Sequence, residues 1–147
     1  MRAVAEALGI RAPSLYKHLP HKDALELAIV VDGFTEAAAA FEAATTDASD
    51  QLGAFAQAYR TFATGHPHLY RLMTERPLPR ESMPAGLEER TAAPLVRAAG
   101  SPARARAAWA FLHGMTMLEL NQRFPDDGLT ESAWQSGIAS FQPGPDV

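Results

Sequence analysis

The sequence has no cysteine. Disulfides, thiolate nucleophiles and sulfur-ligated metals are thereby excluded, and the composition fits a reducing compartment, with the cytoplasm as the expected location. Long apolar runs are missing too. The longest hydrophobic stretches are short and broken by charge, so neither a membrane-spanning helix nor a signal peptide is read from them. There is no glycine-rich phosphate loop, no nucleophile–base set and no metal-ligand cluster. His66 and His68 flank Pro67 without a third ligand nearby and read as capping or surface groups. No enzyme activity, cofactor, metal or membrane partner is expected. Neither a strand pattern of period two nor an internal repeat occurs, which leaves an all-α fold.

The chain does have a 47% hydrophobic fraction over 147 residues, sufficient for a core, and eleven prolines and ten glycines spread out as punctuation. Its charge is uneven. Residues 1–22 hold Arg2, Arg11, Lys17 and Lys22 against Glu6, so the head is +3 while the whole chain is −4 and the remainder −7. A basic head on an acidic body directs nucleic acid to one end.

The head reads as two short helices joined by a tight turn. Val4, Ala5 and Leu8 share a helical face, Gly9 follows the last apolar residue, and Pro13 sits in the first turn of a new helix. Leu15 and Leu19 face inward; Ser14, Tyr16, Lys17 and His18 stay outside, Pro20 ends the helix, and His21 to Asp23 open the next. This is helix-turn-helix spacing, with the second helix as reader of DNA. Ser14 and Tyr16 suit phosphate or base-edge hydrogen bonds, and Arg11, Lys17 and Lys22 suit phosphate neutralisation. The plainer reading is a helical hairpin with a solvated basic face.

The run G-I-R-A-P-S-L-Y-K-H-L-P-H-K-D-A-L resembles the helix-turn-helix signature of the tetracycline-repressor (TetR) family. By that resemblance Arg11, Ala12, Pro13, Ser14, Tyr16, Lys17 and His18 match the recognition helix and its start, and Lys22 matches a phosphate-contacting lysine. One departure stands out. Family members have a helix before the alanine-rich one that begins here at Arg2, so the expectation is an incomplete headpiece over residues 1–28, with a helical effector-binding and dimerisation domain over 29–147.

Beyond the head, Leu27, Val31, Phe34, Ala38 and Phe41 predict the core face of a long helix from Lys22 to about Ala44, and Leu25, Ala28 and Ile29 lie on an arc that can reach the headpiece. A helix over about Asp50–Thr64, with Thr46, Asp47 or Ser49 as candidate caps, carries the stripe Leu52, Phe55, Tyr59, Phe62. A short helix starts at His66-Pro67, and Arg76–Pro84 reads as a loop. In a helix over Ala85–Ala99, Pro94 is expected to kink or break the chain. Gly100, Ser101 and Pro102 stop that helix and start another, to about Arg123, that is apolar on most sides; Leu129–Phe141 forms the last. Residues 142–147 read as a tail.

Trp109-Ala-Phe-Leu-His113-Gly114 resembles the W-x-x-x-H-G signature of one TetR branch's effector domain. The resemblance implies that the last two helices pair with those of a second copy, giving Trp109, Leu120, Phe124, Trp134, Ile138 and Phe141 as homodimer-interface candidates. Tyr59, Phe62, Tyr70, Met73, Phe111, His113, Met115 and Met117 are candidates for lining a cavity for a small apolar or amphipathic ligand, or else form ordinary core. His113 is either a satisfied core histidine or a ligand contact. Glu119 has three options: a ligand group, an arginine partner or solvent. The function expected is a ligand-responsive repressor that binds a near-palindromic double-stranded operator as a homodimer, with recognition helices roughly 34–36 Å apart. The alternative is a dimeric small-molecule-binding protein without DNA activity.

Overall fold

In a computed structural model of the chain, residues 2–7, 9, 11, 13 and 21–142 are described. Among them are seven α-helices and no strand: α1 (Arg2–Ala7), α2 (Lys22–Thr45), α3 (Gln51–Gly65), α4 (Pro67–Thr74), α5 (Leu87–Ala99), α6 (Pro102–Leu120) and α7 (Thr130–Ala139). None of the described helices is long and apolar enough to cross a membrane.

Local chemistry sets most of the boundaries. The His21 ring accepts from the Ala24 N–H at 3.2 Å and caps α2. Asp50 caps α3 by accepting from the Gly53 N–H at 2.9 Å. It lies one residue beyond the expected caps Thr46, Asp47 and Ser49, because only there does a carboxylate reach the third N–H of the helix that forms. Pro67 and Pro102 occupy first turns, where no N–H is needed. Gly100 has φ +77°, a left-handed turn that returns its N–H to the Val96 and Arg97 carbonyls. Ser101 then caps α6 by accepting from the Arg104 N–H.

Four expectations are corrected. Pro94 does not break α5, which runs through it with the ring buried; packing outweighs the one missing hydrogen bond. The last turn expected of α6 does not form, since Gln122 takes φ +52°. A 3-10 turn, Arg80–Ser82, lies in the proline-rich loop. The buried face of α2 is Val30, Gly33, Ala37, Phe41 and Thr45, so Leu27, Val31, Phe34 and Ala38 are only half-buried. Neighbouring helices approach closest where the residues are smallest: a Cβ on Gly33 would lie 2.7 Å from Met73 Sδ and 2.9 Å from Leu69 Cδ1, both on α4.

Helix α3 is the centre of the body, touching α2, α4, α5, α6 and α7. The expected stripe Leu52, Phe55, Tyr59 and Phe62 is buried, and Phe41 of α2 packs against its aromatic members, with ring centroids 4.7 Å from Phe55. Leu95, Leu112 and Trp134 bring α5, α6 and α7 into the same core.

Candidate functional site

A row of polar groups crosses this apolar core. Tyr59 of α3, Tyr70 of α4 and His113 of α6 are hydrogen-bonded in sequence, hydroxyl to hydroxyl at 2.7 Å and Tyr70 hydroxyl to His113 Nδ1 at 2.6 Å. The rings of Tyr59 and Tyr70 meet edge to face at 5.8 Å. Burial pushes the Tyr59 phenol up to about 12, opposed by the hydrogen bond with Tyr70. Burial also raises Tyr70, reinforced by Tyr59 beside it. His113 moves the other way: desolvation lowers its pKa, and the Glu75 charge only partly offsets this. All three groups are therefore neutral at neutral pH, suited to binding and not to charge pairing.

The motif residues Trp109 and His113 stand one turn apart with ring centroids 6.0 Å apart. Trp109 is 49% exposed, so this end of the row reaches the surface. Phe62 and Met73 are buried in the surrounding core, while Met115 and Met117 pack against it half-buried. Phe111 is separate from the row: it meets Trp134 edge to face and packs tilted against Phe141, between α6 and α7. Its seam with Leu52, Ala108, Leu112, Ile138 and Phe141 is closed. An open cleft of about 490 Å³ lies elsewhere, lined by Arg60, Glu119, Glu131, Phe124 and the 125–130 turn.

Arg60 had no signal in the sequence. Its guanidinium binds both Glu119 oxygens at 2.8 and 2.9 Å and Glu131 at 2.8 Å, and lies 5.0 Å above the Trp134 ring. One cation thus ties α3 to α6 and α7, and of the three options for Glu119 the arginine partner is the one found. Trp134 is 2% exposed within the chain's own core and has no surface left for a second copy. That corrects its assignment to the dimer interface: a large aromatic on a short helix is drawn into the nearest core. Leu120, Phe124, Ile138 and Phe141 are half-buried, and Leu118 is 43% exposed.

Arg11 and Pro13 are exposed, and Lys22 opens α2; Ala12, Ser14, Tyr16, Lys17 and His18 lie outside the described residues. Lys22 Nζ lies 3.0 Å from Glu26, whose other oxygen holds Arg76 at 2.8 Å. Arg76 comes just after Glu75, the C-cap of α4, so α4 carries Tyr70 on one side, rests on Gly33 of α2 on another, and reaches the start of α2 from its end. Of the two histidines near Pro67, His66 lies 3.4 Å from Glu36. Among the described residues no group of three potential metal ligands occurs.

Residues 52–141 match the family described as "Tetracyclin repressor-like, C-terminal domain". No curated protein matches the chain. The crystal structure of SCO4313, a protein with a presumed regulatory role, superposes with a TM-score of 0.76 at 24% identity, over 95% of this chain and 83% of that one. A protein of unknown function from Rhodococcus sp. RHA1 superposes with a TM-score of 0.70 at 25% identity, over 95% and 81%. The chain belongs to the tetracycline-repressor-like family of transcriptional regulators through the domain that holds this polar row.

Proposed function

We propose that the protein is a ligand-responsive repressor that binds a near-palindromic operator as a homodimer. Residues 1–28 form the DNA-binding part, with Arg11, Ala12, Pro13, Ser14, Tyr16, Lys17, His18 and Lys22 at the duplex, and residues 29–147 bind the effector and the second copy. A small apolar or amphipathic ligand engages the Tyr59–Tyr70–His113 row. The second copy packs on the side of α6 where Leu118 is exposed.

The observation that carries this reading is the position of α4. Tyr70 bonds to His113 and Tyr59, Leu69 and Met73 of the same helix sit on Gly33 of α2, and Arg76 shares Glu26 with Lys22. A ligand that displaces Tyr70 moves α4, and α4 cannot move without disturbing the helix that leads to the head. Only a ligand with higher affinity for the displaced state shifts the equilibrium.

The test is selection of genomic fragments on the immobilised chain. They should converge on one near-palindromic site, and Lys22→Ala should weaken binding and lower the salt slope by about one. Failure to retain any duplex at low salt, by a chain that still sediments as a dimer, would leave a ligand-binding dimer instead.

A further inference from the structure

We propose that a directed hydrogen-bond chain from Tyr59 through Tyr70 holds His113 as its Nε2–H tautomer and makes it the donor that reads a carbonyl or carboxylate oxygen of a small aromatic ligand lying on Trp109. The proposal deepens the ligand-binding part of the function proposed above and rests on it.

Direction follows from counting donors. Among the described residues the buried Tyr59 hydroxyl has one hydrogen-bond partner, the Tyr70 hydroxyl. If Tyr59 donates to Tyr70, Tyr70 donates to His113 Nδ1 and every hydroxyl proton on the path has an acceptor. In the opposite direction, a proton on Nδ1 goes to Tyr70, Tyr70 donates to Tyr59, and the proton of the buried Tyr59 hydroxyl has no acceptor among the described residues. A buried donor without an acceptor bears its full desolvation penalty, so the first direction holds. The groups around the ring are Tyr59 of α3, Tyr70 of α4, Trp109 on its own helix and Glu75 at the end of α4, which Arg71 holds at 2.7 Å.

Nδ1 is occupied, so the remaining nitrogen, Nε2, carries the proton, and it makes no hydrogen bond to any described residue. Beside it lies the half-exposed Trp109 ring, tilted by 35°. The described residues therefore leave part of the Trp109 ring uncovered. A flat ring on Trp109 sets a substituent near His113, and a lone N–H selects an acceptor. An ammonium group supplies none.

The test uses the full chain labelled with 15N-histidine. Long-range 1H–15N spectra at neutral pH should show His113 with an unprotonated Nδ1 and a protonated Nε2. Tyr59→Phe should leave the Nδ1 signal nearly unchanged, because Tyr70 can still donate, and Tyr70→Phe should move it as the hydrogen bond at Nδ1 is lost. A protonated Nδ1 in the native chain would overturn the direction. Benzamide is the ligand probe, with ethylbenzene and benzylammonium for comparison. Benzamide should shift the His113 Nε2 and Trp109 indole signals with about tenfold higher affinity than either, the worth of one hydrogen bond. Equal affinities, or no response to benzamide, would overturn the acceptor-reading role. Concentration-dependent Nε2 shifts without benzamide would assign the acceptor to a second copy and overturn the small-ligand assignment. The tautomer is read without DNA, so a failed operator selection and a failed donor assignment are separate results.

Discussion

Tyr70→Phe removes one oxygen and two hydrogen bonds, and its cost follows from what is stranded. The Tyr59 hydroxyl is buried and loses its acceptor, while His113 Nδ1, half-buried, loses its donor. An orphaned buried donor costs about 1–3 kcal/mol and a partly wet acceptor less, so the total should be about 2–4 kcal/mol. For a chain of this size that lowers Tm by roughly 4–16 °C. Tyr59→Phe should cost only about 1 kcal/mol, because Tyr70 keeps its own donation to His113. The double variant should cost no more than Tyr70→Phe alone, since the stranded hydroxyl has gone too, giving a coupling of about 1 kcal/mol or more. Urea unfolding followed by circular dichroism, with slopes unchanged between variants, measures all three. Additive costs, or Tyr59→Phe as harmful as Tyr70→Phe, would refute both the direction of the chain and the burial argument.

Other outcomes follow from the same geometry. His113 has a lowered pKa when folded, so the unfolded chain binds more protons: its contribution is fully present above the ordinary histidine range and falls as pH drops through about 6.5 and below. His113→Gln should flatten urea stability between neutral and mildly acidic pH. A Cβ at Gly137 would overlap the Phe111 ring, whose Cε1 would lie 2.8 Å away; Gly137→Ala should destabilise by about 1–2 kcal/mol in urea despite alanine's better helix propensity. Arg60→Met should cost about 1–2 kcal/mol, discounted for the partial exposure of its carboxylate partners, and high salt should narrow the difference. Leu118→Glu at an exposed position should leave the fold intact and shift sedimentation toward monomer; an unchanged sedimentation coefficient would remove this face of α6 from the dimer interface.

Helix existence and many of the helix ends were legible in the sequence because their causes are local. Gly100, Ser101 and Pro102 act on groups within a few residues, and the stripe Leu52, Phe55, Tyr59, Phe62 needs only the helical period to mark a buried face. The family signatures are equally local. Tertiary structure decided what periodicity cannot reach. On α2 the stripe of large residues was a poor guide, because helices approach at small residues such as Gly33 and Ala37. Tyr59, Tyr70 and His113 were each visible as pocket candidates, but a pair 43 residues apart becomes a hydrogen bond only when α4 lies against α6. Arg60 and its partners, 59 and 71 residues distant, left no pattern at all. Propensity and capping act over one helical turn, whereas hydrogen-bond partners in a core are assigned by the packing of whole helices.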